Sequence, residues 1–177
     1  MLRLRPYKSC DSEKIARWIT DRDVFLKWGG DHFGEYPVSA DAIDEKYRLH
    51  NGDCKEPDNF YPWVTIDDEN GTVGHFIMRY LHGDHRMIRF GWVIVDSAIR
   101  GKGYGAEMLR AGLRYAFEFL DADVVTIGVF ETNERAHRCY RKVGFTDTGI
   151  IKKEPWNIIE MEIRKSDYRA ESELEQH

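Results

Sequence analysis

The sequence predicts an α/β (α+β) domain built on a mixed, mostly antiparallel sheet with one parallel strand-helix-strand unit. Three observations carry this. Apolar, strand-like segments follow one another across Asn70-Gly71 and Gly83-Asp84, two strong turn signals, so Tyr61 to Val95 reads as a three-stranded meander. Gly103 to Leu120 then places Leu109, Leu113, Ala116 and Leu120 on one helical face. The nearly all-apolar segment Val124 to Phe130 follows, and a crossover of that length lets it lie parallel to the strand before the helix.

The remaining elements fall into order around this unit. Leu2, Leu4 and Pro6 alternate with Arg3 and Arg5, the pattern of a strand with one buried face. A helix with Asp11 as N-cap carries the stripe Ile15, Trp18, Ile19. Asp21 caps a second short helix through Trp28, and Ser39 a third to about His50, with the long aromatic loop GGDHFGEYP between them. Asn133 to Lys142 reads as a short helix, Phe145 to Ile151 and Ile158 to Ile163 as closing strands, and the chain from Ser166 as a loose polar tail. The expected organisation is a single domain over residues 1–165 with the tail at 166–177.

With 177 residues, 42% of them hydrophobic, the chain can build one core. Its longest apolar runs are far shorter than the roughly 20 residues of a membrane helix, and its opening residues lack the pattern of a secretory signal. A cytoplasmic location is expected. A net charge of -5 offers no basic footprint for nucleic acid or an anionic membrane, so neither is an expected partner. The scattered Cys10, Cys54 and Cys139 fit neither a disulfide framework nor a zinc site, and no metal is expected.

Arg100-Gly101-Lys102-Gly103-Tyr104-Gly105 stands between the end of a strand and the start of a helix. Glycines permit positive φ and close approach of the backbone, while a helix start offers unpaired N–H groups and the positive end of a dipole. Together they make an anion cradle. The spacing matches neither the dinucleotide fingerprint nor the P-loop. Taken alone, the hexapeptide also reads as a turn before a helix. Downstream, NERAHRCYRKVGF places Asn133, Ala136 and Tyr140 on one helical face, with Asn133 able to cap the helix. Tyr140 alone also reads as a core aromatic.

Together these segments resemble the GNAT superfamily of N-acetyltransferases: RGKGYG matches its [Q/R]-x-x-G-x-[G/A] pyrophosphate loop, and Asn133 to Phe145 is similar to its N-x-x-A-x-x-x-Y-x-x-x-G-F element. The resemblance implies acetyl-coenzyme A as cosubstrate, bound by the loop residues Arg100 to Gly105. The main chain of Val93, Ile94 and Val95 would meet its pantetheine arm, as would Asn133, and Tyr140 would be the general acid facing the thioester sulfur. An N–H exposed by a bulge or splay in that strand would hold the oxyanion. Asp96-Ser97 departs from the usual proline-containing pair at the strand end. Arg138, Arg141 and Lys142 read as a solvated helix face that could also reach the coenzyme's nucleotide phosphate.

The general base stays open. The chain also resembles the ribosomal-protein N-terminal acetyltransferase branch, whose strand glutamate corresponds here to Gly128. Glu131 and His32 are the candidates left, while His75 is given no role. The acceptor is expected to be a primary amine, small-molecule or peptide N-terminal. A catalytically silent acyl-coenzyme-A-binding module is the alternative, and a homodimer is among the assemblies to be expected. Between Asp11 and Phe60 stand twelve acidic and seven basic side chains, which alone account for the chain's net -5. That imbalance points to a cationic acceptor, met by Trp28, Phe33, Tyr36, Asp31 and Glu35.

Overall fold

Alternation at the N-terminus produces β1 (Leu2–Pro6), and in the computed structural model, which describes residues 1–168, it pairs antiparallel with β2 (Tyr61–Asp67). Between them run α1 (Ser12–Trp18), α2 (Arg22–Trp28) and α3 (Ala40–Arg48). The Asp21 and Ser39 side chains cap α2 and α3, accepting from the N–H groups of Val24 and Ala42. Asp11 does not cap α1 as expected, because its carboxylate is taken by the Arg5 guanidinium and the Lys8 N–H.

The meander continues as β3 (Gly71–Leu81) and β4 (Asp84–Val95). Then come α4 (Tyr104–Arg114), extended by a π-helical stretch Tyr115–Phe119, β5 (Val124–Phe130), α5 (Glu134–Val143), β6 (Thr146–Ile151) and β7 (Ile158–Arg164). The seven strands lie in the order β1-β2-β3-β4-β5-β7-β6. Among the described residues only β4 and β5 pair in parallel, as the crossover length allows. Of the expected tail, Tyr168 rests its ring on Phe117, and residues 169–177 lie outside the described residues.

Two apolar cores sandwich the sheet. Helices α4 and α5 cover one face with Leu109, Leu113 and Tyr140 against Phe76, Phe90 and Ile127. Helices α1, α2 and α3 cover the other with Ile15, Trp28 and Tyr47 against Ile77 and Ile94.

Two irregularities in β4 shape the region between these layers. First, its parallel pairing with β5 spans only Met87–Phe90 against Val124–Ile127, after which the strands part. Second, Phe76 of β3 faces both Trp92 and Val93, since the register steps from His75↔Ile94 to Ile77↔Gly91. This is a β-bulge. Trp92 sits there at φ 45°, where a bulky aromatic is an outlier. The bulge also changes which residues face which core. Ile88 and Phe90 face α4, but beyond it Trp92 and Ile94 face α1 to α3, while Val93 and Val95 turn toward α4.

Candidate active site

Where β4 and β5 part, the sheet opens into a cavity of about 880 Å³ whose wall includes residues of both helical layers. Its α4/α5 end is built from the glycine-rich turn. Gly101 and Gly103 have φ 87° and 94°, and Gly103 is the N-cap of α4. A Cβ on Gly103 would meet no atom within 4 Å, so the space before the first free N–H groups of α4 is open. Gly105 packs close, a Cβ there lying 3.6 Å from both Cys139 Sγ and Val95 Cγ2.

The charged residues of the expected loop take different positions. Arg100 is half-buried and committed to the backbone, donating from Nε to the Val95 carbonyl (3.0 Å) and from Nη2 to the Trp18 carbonyl (2.6 Å). Burial lowers its pKa, with nearby Arg135 adding to the effect. It therefore ties the strand end to α1 instead of presenting a free guanidinium. Lys102 is exposed and lies outside the cavity wall. Tyr104 lines the wall, its hydroxyl accepting from Asn70 Nδ2 at 2.7 Å.

Arg135 supplies the positive charge that Arg100 does not. Its Nη2 would be 3.2 Å from a Cβ on Gly101, it lines the cavity, and it makes no ion pair among the described residues. Sequence reading missed it, although it sits two residues after the motif asparagine on the helix that closes the site. Arg138 and Lys142 line the same wall, whereas Arg141 turns away to Asp147. The expected basic run thus divides between two faces of α5.

Midway along the cavity stand the backbone of β4 and Tyr140. The Asp96 N–H donates to the Val73 carbonyl at 2.9 Å and Ile94 opposes His75, so Ile94 and Asp96 direct their main-chain groups to β3. Strand alternation then turns those of Val93 and Val95 to the edge facing β5, where β5 no longer pairs with them and Arg100 takes the Val95 carbonyl. Tyr140 is buried at 7% exposure and lines the cavity. Burial raises its phenol well above the ordinary value, so it carries its proton at neutral pH. No hydrogen bond from its hydroxyl is found among the described residues. Asn133 caps α5 through the Ala136 N–H (3.3 Å) and also lines the wall.

The opposite end is aromatic and charged. Trp28 and Trp92 line it, with His32 exposed beside Trp92 at a ring separation of 5.9 Å. The Trp28 indole N–H donates to the Trp92 carbonyl. Of the five residues expected to meet a cation, Asp31 and Trp28 line the cavity, while Phe33, Tyr36 and Glu35 do not. Phe33 is stacked beneath Trp28 at 4.6 Å, and the Tyr36 hydroxyl donates to the Thr20 carbonyl. Glu131 is also outside the wall, its carboxylate held by the main-chain and side-chain N–H groups of Asn157. Of the two candidate bases, only His32 is in the cavity.

Gly128 has a local reason. A Cβ there would fall 2.6 Å from Arg89 Nη2 and 3.1 Å from Glu160 Oε1, the two halves of a bidentate ion pair across β5 at 2.7 and 2.8 Å. A glutamate could not replace it without displacing that pair. His75, left without a role, is fully buried: its Nδ1–H donates to the Trp63 carbonyl, which can only accept, and Nε2 accepts from the Tyr47 hydroxyl. Burial depresses its pKa to about 4. Among the described residues no group of three or more His, Cys, Asp or Glu is arranged to hold a metal ion, and no helix is long and apolar enough to cross a membrane.

Known proteins match over most of this architecture. The Bacillus subtilis protein described as uncharacterized N-acetyltransferase YnaD is 28% identical over 86% of this chain and 83% of its own. The spermidine N(1)-acetyltransferase of Escherichia coli strain K12 is 22% identical over 96% of this chain and 89% of its own. In structure, the spermidine N-acetyltransferase of Vibrio cholerae, solved with CoA and spermine, superimposes with a TM-score of 0.75 at 23% identity, covering 94% and 96% of the two chains. The expected likeness to the ribosomal-protein N-terminal branch finds no support among these relatives, in keeping with the ion pair that fills the space beside Gly128. The family model of the acetyltransferase (GNAT) domain matches residues 1–146, covering the glycine-rich turn, the parted strands and Tyr140. The chain thus belongs to the GNAT family and is an acetyl-coenzyme-A-dependent N-acetyltransferase.

Proposed function

We propose that the protein acetylates a primary amine of a small polycation, of the kind represented by spermidine. The observation that carries this reading is the cavity running from the α4 anion cradle, past Tyr140, to an end lined by Trp28, Trp92 and the carboxylates of Asp23, Asp31 and Asp53. Acetyl-coenzyme A would place its pyrophosphate before the α4 N-terminus and Arg135, with its pantetheine arm along the free edge of Val93 and Val95. A main-chain N–H of that edge, Val93 by position, would hold the oxyanion of the tetrahedral intermediate.

The amine must lose a proton before it attacks, because a primary ammonium has a pKa of about 10. His32 is the cavity-lining group suited to take that proton, directly or through water. As the intermediate collapses, the carbon–sulfur bond breaks, Tyr140 protonates the leaving thiolate, and the second proton of the attacking nitrogen departs as the amide forms and restores the phenol, directly or through water. That two relatives matched over most of their length are spermidine acetyltransferases supports a small polyamine over a peptide N-terminus.

Purified protein given acetyl-coenzyme A and a panel of spermidine, 1,4-diaminobutane, a peptide with a free N-terminus and a lysine peptide would decide the matter through free-thiol release. Spermidine should give the highest kcat/KM. Preference for either peptide would replace the polyamine reading, and tight coenzyme binding without release by any amine would identify a silent binding module.

A further inference from the structure

We infer that Asp31 and the face of Phe130 form a subsite for the second, non-reacting ammonium of the acceptor, and that Lys153 occupies it in the free enzyme as a tethered competitor. The inference rests on the reading of a polycationic amine as acceptor. Lys153 Nζ lies 3.2 Å from Asp31 Oδ2 and 5.7 Å from the centroid of the Phe130 ring. All three residues line the cavity. A carboxylate combined with an aromatic face is the environment that attracts a primary ammonium, through opposite charge and the ring quadrupole together. The protein's own lysine demonstrates that an ammonium fits there.

The placement separates this pair from the lysine pairs made by the other two carboxylates of the wall, Asp23 with Lys27 and Asp53 with Lys46. Asp23 and Lys27 are neighbours on successive turns of α2, and Asp53 follows closely after Lys46 of α3. Both are local contacts. The Lys153–Asp31 pair instead joins residues 122 apart, bringing the connection between β6 and β7 to the turn after α2. Phe130, at the end of β5, is held in place by the edge of Trp156, with ring centroids 5.7 Å apart.

Exposure makes exchange feasible. The side chains of Lys153 and Asp31 are 34% and 41% exposed, so both ions retain water and the pair is worth little. A diffusible diamine whose first nitrogen has entered toward Val93 can then displace Lys153 with its second. A monoamine gains nothing from Asp31. Lys153 would thereby lower the affinity for every polyamine while keeping the carboxylate paired when the site is empty.

The test compares 1,4-diaminobutane with butylamine, equal in carbon count and differing by one ammonium. In Lys153→Met, which keeps most of the apolar stem, the ratio of kcat/KM for diamine over monoamine should rise about three- to five-fold, the scale set by an exposed ion pair. Asp31→Asn should lower the ratio by a similar factor, and Phe130→Leu should lower it less. A ratio unchanged or reduced in Lys153→Met would overturn the subsite, as would equal loss on both amines in Asp31→Asn. If the wild type acetylates neither these two amines nor spermidine, it is the acceptor reading that fails. Calorimetry of 1,4-diaminobutane on the coenzyme-loaded protein then decides the subsite, which requires tighter binding in Lys153→Met and is refuted by equal or weaker binding.

Discussion

The indole N–H of Trp28 on α2 donates to the main-chain carbonyl of Trp92 at 3.0 Å, pinning the strand bulge from the helical layer that Trp92 faces. Trp92 is held at φ 45°, a conformation costing roughly 1–3 kcal/mol in a non-glycine residue, and it persists because its surroundings over-determine it. Those surroundings include Tyr47, stacked on Trp92 at 5.7 Å and 6°. Val93 follows directly. Trp28→Phe keeps a ring in place and removes the pin, so kcat should fall between ten- and a hundred-fold through misplacement of the oxyanion donor. The dissociation constant of acetyl-coenzyme A should move much less. Steady-state kinetics with an unaltered kcat would show that packing alone holds the bulge.

Arg135 stands beside Gly101 with no carboxylate partner among the described residues. Arg135→Gln should weaken acetyl-coenzyme A about tenfold, the worth of a charged hydrogen bond, and should reduce the salt dependence of binding. Titration calorimetry at two ionic strengths checks both. The same change at Lys102, which lies off the wall, should have little effect.

Gly103→Val places a β-branched side chain at φ 94° and in the space before α4. Coenzyme affinity should drop by more than an order of magnitude, with a lowered melting temperature but an unchanged far-ultraviolet dichroism spectrum. Retained affinity would move the pyrophosphate away from this turn.

Tyr140→Phe deletes a hydroxyl and keeps the ring among Phe145 and its neighbours. Binding should persist while turnover falls by roughly 10²-fold, the lower part of the range for a lost general acid. The loss is moderated because a thiolate, with a reference pKa near 8.5, is already a fair leaving group. Equal turnover would reduce Tyr140 to packing.

His75 makes a prediction about acid. Its folded-state pKa of about 4 lies below the ordinary 6.5, so between these values the unfolded chain binds the extra proton. Stability from this residue is therefore fully present above about pH 6.5 and is lost as pH falls toward 4, by about 3 kcal/mol in all. Urea unfolding of the wild type should weaken between pH 7 and pH 5. His75→Gln, whatever its own stability, should flatten that slope, and an identical slope would assign the loss to other groups.

Periodicity and turn chemistry make most of the architecture legible in the sequence. Asn70-Gly71 and Gly83-Asp84 mark real reversals, and the apolar stripe from Leu109 onward buries where expected. The glycine motif likewise signalled a turn where positive φ is permitted, and Gly101 and Gly103 adopt it. What stayed hidden depends on contacts between distant residues. No local rule tells that Arg100 spends its donors on the Val95 and Trp18 carbonyls and leaves its charge to Arg135. Nor does the sequence around Trp92 announce a bulge, since tryptophan is poorly suited to positive φ and is kept there by Trp28 and Tyr47. Glu131 read as a candidate because of its place at a strand end, but its orientation was decided by Asn157.

The early parting of β4 and β5 leaves the sheet as two panels, β1 to β4 and β5 to β6, joined by only four residue pairs. A ligand with amide groups lying along Val93 and Val95 would act as a replacement strand, returning to the β4 edge the hydrogen bonds that β5 gives up beyond Phe90. Occupancy would then be written into the backbone itself: amide hydrogens from Gly91 to Val95 should exchange more slowly with acetyl-coenzyme A bound, and the two panels should unfold as one unit instead of loosening along their seam.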